Sequence, residues 1–266
     1  MFNISFVSTL IFLVNSAMAQ QAAPTKLPPI SPAEVLTEAE VIPKAEGEGG
    51  QLPMVSHLTL DSLLQAHVSD AGKVDYKGLK ADKATLDAYC QMLSEHPAQE
   101  SWSKEEKMAY WINTYNAFTI KLIVDNYPTK SILNFDGGKT WDVRRIKIGD
   151  KKYSLNNIEN DILRPQFKDP RIHFAINCAA KSCPPIWNHA YTAENLEATL
   201  ALRAKAFVNN PKFNTLTSTR AQVSKIFDWY GKDFGDLKKF LNQYSDTKLK
   251  SSAAVIFNEY NWDLNE

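Results

Sequence analysis

The chain has 266 residues, 30 basic and 30 acidic side chains, and a formal net charge of zero. Apolar residues make up 44% and aromatics 11%, which suits one ordinary globular core and excludes a mostly disordered chain. The charge balance argues against a nucleic-acid partner, and three cysteines supply neither a four-cysteine zinc site nor a disulfide-built scaffold.

Residues 1–19 carry no charged side chain, and an apolar run from Ile4 to Val14 closes on Ala17-Met18-Ala19. This is the pattern of a secretory signal peptide cleaved before Gln20, although no Lys or Arg stands near Met1. The run is about half the roughly 20 residues needed to span a bilayer. No transmembrane segment is expected after cleavage, and the expected location is periplasmic or secreted. Residues 20–53 hold six prolines, no aromatic residue and five glutamates, so they read as a disordered tether. Residues 54–266 contain all six tryptophans and read as a single globular domain.

Within that domain the periodicity predicts helices over 58–68, 82–94, 103–126, 157–163, 193–209 and 235–244. A hairpin is expected around Gly149-Asp150, and strands over 171–178, 221–227 and 255–263. The expected fold class is α+β, a buried central helix packed on a small, mainly antiparallel sheet. Helix 103–126 has Ser103 and Glu106 at capping-box spacing and Pro128 beyond its end. It is apolar on most sides, with Thr114, Lys121 and Asp125 as its polar stripe. Asn113 and Asn116 therefore point into packed surroundings, where a buried amide without partners costs about 1–3 kcal/mol. They either tie down neighbouring loops or border a ligand-binding cleft.

Alternation along 171–178 places Arg171, His173 and Asn177 on one strand face, with Cys178 on the other about 16 Å from His173 at ~3.3 Å per residue. Only Cys183, after a reversal at Lys181-Ser182, could meet His173 as an activated thiol. In an oxidising compartment Cys178 and Cys183 are instead expected to pair as a disulfide, which would remove Cys183 as a nucleophile. Cys90 reads as a buried free thiol. Glu159 is a candidate acid or base, or the return half of a capping box with Asn156. The remaining histidines show no paired ligand spacing and no phosphate-cradling Gly-rich loop is present, so no metal or cofactor is expected.

The motifs Trp111-Ile-Asn-Thr-Tyr-Asn116, Ile158-Glu-Asn-Asp-Ile-Leu-Arg-Pro165, Asp169-Pro-Arg-Ile-His-Phe-Ala-Ile-Asn-Cys178, Ser182-Cys-Pro184, Ser224-Lys-Ile-Phe-Asp-Trp-Tyr230 and Tyr260-Asn-Trp-Asp-Leu-Asn265 resemble the family called domain of unknown function 547, DUF547. The resemblance runs from about Asp75-Tyr76 to the end. It implies no established activity: bacterial members are often exported single domains, and eukaryotic relatives join the domain to interaction modules. Many members have His where this chain has Asn160. A looser similarity, to papain-like and transglutaminase-like folds, rests on a buried helix followed by a His-bearing strand. Two functions are therefore expected to compete. One is an exported hydrolase or transferase on a peptide- or amide-containing substrate, with His173 as general base, Glu159 and Cys183 as further catalytic groups, and Asn113, Asn116, Arg171 and Asn177 in binding. The other is a non-catalytic envelope binding module that uses the same cleft for a small-molecule or peptide ligand.

Overall fold

The computed structural model describes residues 55–266; the expected signal peptide and the whole of the expected tether lie outside the described residues. Four helices come first: α1 (Leu58–His67), α2 (Tyr76–Ala81), α3 (Lys83–Glu95) and α4 (Lys104–Asp125). The capping box of α4 is present: the Ser103 hydroxyl accepts from the Glu106 N–H, and the Glu106 carboxylate accepts from the Ser103 N–H. Helix α2 was not legible as a periodic stretch, being too short. Its start is set by Asp75, whose side chain accepts from the Gly78 N–H at 2.9 Å.

Helix α4 is buried along most of its length and packs against α2, α3, the π-helix Asn157–Phe167 and α5 (Ala193–Val208). Its main neighbours are thus helices, where the sequence suggested a sheet. Thr114, expected on a polar stripe, is buried, and its hydroxyl donates to the Tyr110 carbonyl at 2.7 Å. A threonine can hide in this way because its one donor returns to the helix's own backbone. Lys121 and Asp125 do face water, where with Lys83 and Asp87 they form a network of ion pairs between α3 and α4.

The hairpin forms as expected, β1 (Ile146–Ile148) pairing antiparallel with β2 (Lys151–Tyr153) across the Gly149-Asp150 turn. The other sheet is mixed. β3 (Thr215–Leu216) is antiparallel to β4 (Arg220–Val223), which runs parallel to β5 (Ala254–Phe257). A parallel pair needs a long crossover, and the chain supplies one in α6 (Ile226–Trp229), α7 (Gly231–Phe234) and α8 (Leu237–Tyr244). The expected strand 221–227 therefore stops at Val223.

The apolar interior has two parts. The larger gathers α1–α4, the hairpin and the π-helix. The smaller is rich in phenylalanine, with Phe174, Phe207, Phe213, Phe227, Phe234 and Phe240 in contact with one another. Residues 170–174 join the two: Ile172 belongs to the first and Phe174 to the second. No helix among the described residues is long and apolar enough to cross a membrane.

The segment carrying His173 overturns an expectation. It is a 3-10 turn, Pro170–Phe174, and not a strand. Pro170 sits at its first position, and the Asp169 side chain caps it by accepting from the Arg171 N–H at 2.9 Å. That Asp-Pro start outweighs the alternation that suggested a strand. Without a His-bearing strand, the papain-like or transglutaminase-like arrangement has no support.

Candidate functional site

A cavity of about 290 Å³ opens where the two apolar clusters meet. Its polar lining includes Glu159 from the π-helix, His173 from the 3-10 turn, and Cys178 and Cys183 from the loop that follows. The strand-based separation of His173 from Cys178 is therefore corrected, since the coiled path from 170 to 183 turns both towards one space. The helix expected over 157–163 continues to Phe167 as a π-helix with Pro165 inside it, and the wide winding leaves room for the proline ring. The expected Asn156–Glu159 capping box is absent. Asn156 instead donates to Asp142 at 3.1 Å and accepts from the Asn160 amide.

His173 is held by a residue that sequence reasoning did not single out. Its Nε2 lies 2.8 Å from Asp233 Oδ2. The same carboxylate accepts two hydrogen bonds from Arg164, at 2.6 and 2.8 Å. His173 and this guanidinium fork hold the Asp233 carboxyl well below the usual carboxylate range. An ionised carboxylate only accepts, so Nε2 carries the proton and the lone pair of the neutral ring lies on Nδ1. Tyr230 stacks on the imidazole at 3.9 Å and fixes its plane.

Among the described residues Nδ1 has no hydrogen-bond partner, and neither does the Glu159 Oε1 that faces it at 4.0 Å. The other carboxylate oxygen of Glu159 accepts from the Tyr115 hydroxyl at 3.4 Å, and that hydroxyl accepts from Trp141 Nε1 at 3.2 Å. Two buried acceptors facing each other leave a place for one proton donor, either the N–H of an imidazolium or a group from a ligand.

The thiols contradict the expected disulfide: Cys90, Cys178 and Cys183 are all free. The Cys178 N–H donates to Cys183 Sγ at 3.0 Å, and Cys178 Sγ lies 3.0 Å from the Tyr260 hydroxyl. Burial pulls the Cys178 pKa up. Donation from the Cys183 thiol, the Tyr260 hydroxyl and the Ala180 N–H more than offsets it, leaving Cys178 below an ordinary thiol. Burial pushes Cys183 well above one. Ala179, between the thiol and one of its donors, has φ 61°, the left-handed conformation that turns the Ala180 N–H back. Cys178 is partly exposed and Cys183 is buried, so the more reactive thiol is the one that the sequence had reserved for structure.

The remaining candidates sit elsewhere. Asn113 is bonded in both directions to the Tyr191 backbone, at 2.7 and 3.0 Å. Asn116 bonds the Ala175 carbonyl and the Asn177 N–H, both at 2.9 Å. The Asn177 side chain ties the Pro184 carbonyl and the Ala179 N–H, and accepts from Asn265. These amides position the loop without lining the cavity. Arg171 forms ion pairs with Asp169 and Glu197 and also lies off the cavity. Asn160, at the family's frequent His position, lines the cavity and accepts from Arg164 Nη1 at 2.5 Å.

Much of the rest of the lining is aromatic. Trp141, Trp229, Tyr260 and Trp262 form a continuous wall with ring centroids 4.6–5.9 Å apart, and Trp229 is 45% exposed at the mouth. Asp233 and the aromatic wall were the missed parts. The quoted motifs contain Trp229, Tyr230, Tyr260 and Trp262, and Asp233 stands three residues beyond Tyr230. No group of three or more His, Cys, Asp or Glu side chains among the described residues is placed to hold a metal ion.

Residues 99–208 match the family described as "Protein of unknown function, DUF547". No curated protein and no solved structure matches the chain. The matched segment contains Glu159, His173, Cys178 and Cys183, whereas Asp233 and Tyr260 lie beyond it. Over this segment, which is less than half of its length, the chain is similar to the DUF547 family.

Proposed function

We propose that the protein is a thiol-dependent hydrolase or transferase acting on a peptide- or amide-containing substrate. Cys178 is the nucleophile and His173 the general base. One observation carries this reading: a partly exposed thiol, 3.0 Å from the Tyr260 hydroxyl, shares a cavity with an imidazole whose orientation is fixed by a carboxylate. In the first step the proton leaves Cys178 for His173, and the thiolate sulfur attacks the substrate carbonyl carbon. The tetrahedral intermediate collapses, the carbon–nitrogen bond breaks, and the amine leaves with the proton from His173. Water or an acceptor amine, deprotonated by His173, then attacks the thioester and releases Cys178. Glu159, 4.0 Å from Nδ1, offsets the charge of the imidazolium.

Alkylation of the native protein by iodoacetamide at pH 7, followed by peptide mapping, tests the proposal. Cys178 should react at least ~10-fold faster than an unactivated thiol and lose most of that advantage in His173→Gln. Cys90, which burial pushes up to about 12, should stay unmodified. Alkylation of Cys178 no faster than Cys90, or full turnover by Cys178→Ala on any amide substrate found, would overturn the assignment.

A second reading, a non-catalytic binding module, draws on the His173 side chain being only 1% exposed. On that reading the aromatic wall holds the ligand, and Cys178→Ala would bind it as tightly as the natural protein. We further propose export to the bacterial envelope, supported by the apolar run and the Ala17-Met18-Ala19 site. The mature protein should have an intact mass starting at Gln20, and a mass that includes Met1 would exclude cleavage.

A further inference from the structure

A second cavity, of about 420 Å³, lies on the other side of the segment 180–185; Cys183 and Pro184 border both spaces. Its floor is apolar, formed by Phe174, Phe207 and Phe213, and Arg203 of α5 reaches its wall. Arg203 differs from the other partly buried arginines. Arg164 and Arg171 each form close ion pairs with carboxylates. Arg203 is partly buried as they are, yet no carboxylate among the described residues comes within ion-pairing distance of it. Among the described residues its guanidinium makes one hydrogen bond, from Nη2 to the Pro185 carbonyl. Burial therefore pulls its pKa down with no anion to restore it.

Arg203 is on the cavity lining, and its other N–H groups are not among the buried polar atoms left without a partner. The other charged groups on the lining have partners of their own. Lys212 lies over the Phe213 ring at 5.4 Å. Lys181 pairs with Asp263 at 3.3 Å. The two carboxylates on the lining have other donors: Asp70 accepts from Asn188 at 3.0 Å, and Glu266 from Tyr127 at 3.0 Å. The wall is closely fitted, because a Cβ on Gly72 would come within 2.4 Å of the Pro185 Cβ.

We infer that this cavity is a binding site for a small organic carboxylate with an apolar body, held through its carboxylate by the unpaired Arg203 and seated on the three phenylalanines. A guanidinium presents a planar fork that matches a carboxylate, and burial strengthens the pairing. The apolar floor selects an aromatic or branched aliphatic body over a bare inorganic ion.

Calorimetric titration of the full chain in low salt with benzoate, and with its neutral counterpart benzamide, tests this inference. Benzoate should bind saturably and at least ~10-fold more tightly than benzamide. Arg203→Met, which keeps the length of the apolar stem, should lose at least ~10-fold in benzoate affinity and leave benzamide unchanged. Lys212→Gln, a variant at the rim, should weaken benzoate by ~2–3-fold and keeps the test decisive if Arg203→Met does not fold. Equal binding of benzoate and benzamide, no saturable binding of benzoate, or unchanged benzoate affinity in a folded Arg203→Met or in Lys212→Gln would overturn the inference.

Discussion

The amides of α4 and the imidazole–carboxylate pair beside it are almost equally hidden from water. Asn113 and Asn116 are 1% and 3% exposed, and Glu159 and His173 are each 4% exposed. They differ in what remains unbonded. Each amide has its nitrogen and its oxygen bonded to backbone groups of a distant loop, so neither polar atom is without a partner. His173 Nδ1 and Glu159 Oε1 have no partner among the described residues. Burial alone therefore does not mark a functional site in this molecule, whereas residual hydrogen-bonding capacity beside a cavity does.

Asn116→Ala should break the comparison from the structural side. It strands the Ala175 carbonyl and the Asn177 N–H in the interior, at about 1–3 kcal/mol for each lost partner. The expected loss is about 3 kcal/mol in urea unfolding, with the rate of Cys178 alkylation changing only as far as the loop loosens. A loss under ~1 kcal/mol would mean that the loop finds other donors and that the amide is not what holds it.

Glu159→Gln should have the opposite sign. The new amide can donate from the Oε1 position to His173 Nδ1 and still accept from Tyr115 through its remaining oxygen. The folded state should be unchanged or more stable by up to about 1 kcal/mol, while Cys178 loses reactivity because the imidazole lone pair is occupied. A destabilisation as large as that of Asn116→Ala would place Glu159 with the structural amides.

The parts of the molecule that the sequence made legible are those built from strong local signals. The α4 capping box and the Gly149-Asp150 hairpin each need only neighbours in the chain, and each is present. The site needed something else. His173 meets Asp233 across 60 residues and Cys178 meets Tyr260 across 82, and no periodicity encodes such pairings. The stretch from 157 to 183 also departs from the regular periods, as a π-helix, a 3-10 turn and a left-handed Ala179 in succession. A reading based on alternation assigns it a strand, and with that strand comes a false distance between the imidazole and the thiol. The Asp169-Pro170 pair was the one local sign against it.

Asp233→Asn sharpens the comparison at its smallest scale, through pH. In the folded protein the Asp233 carboxyl titrates well below its unfolded value, held down first by His173 and then by Arg164. A depressed carboxylate stabilises the fold fully above its unfolded pKa of about 3.9 and loses that contribution as pH falls towards the folded value. The natural protein should therefore exceed the variant by no more than about 1 kcal/mol at pH 7, and the gap should narrow as pH falls from about 4. The gap stays small for a further reason. An Asn at 233 can donate to Nε2, which moves the ring proton to Nδ1, where it meets the unpartnered Glu159 Oε1. The fold tolerates that tautomer, but the base has lost its lone pair on the side facing Glu159. Urea unfolding at pH 7 and pH 3, run beside Cys178 alkylation at pH 7, reads both effects. A stability gap that widens in acid, or a variant whose thiol alkylates as fast as the natural one, would show that Asp233 neither carries the charge nor sets the tautomer.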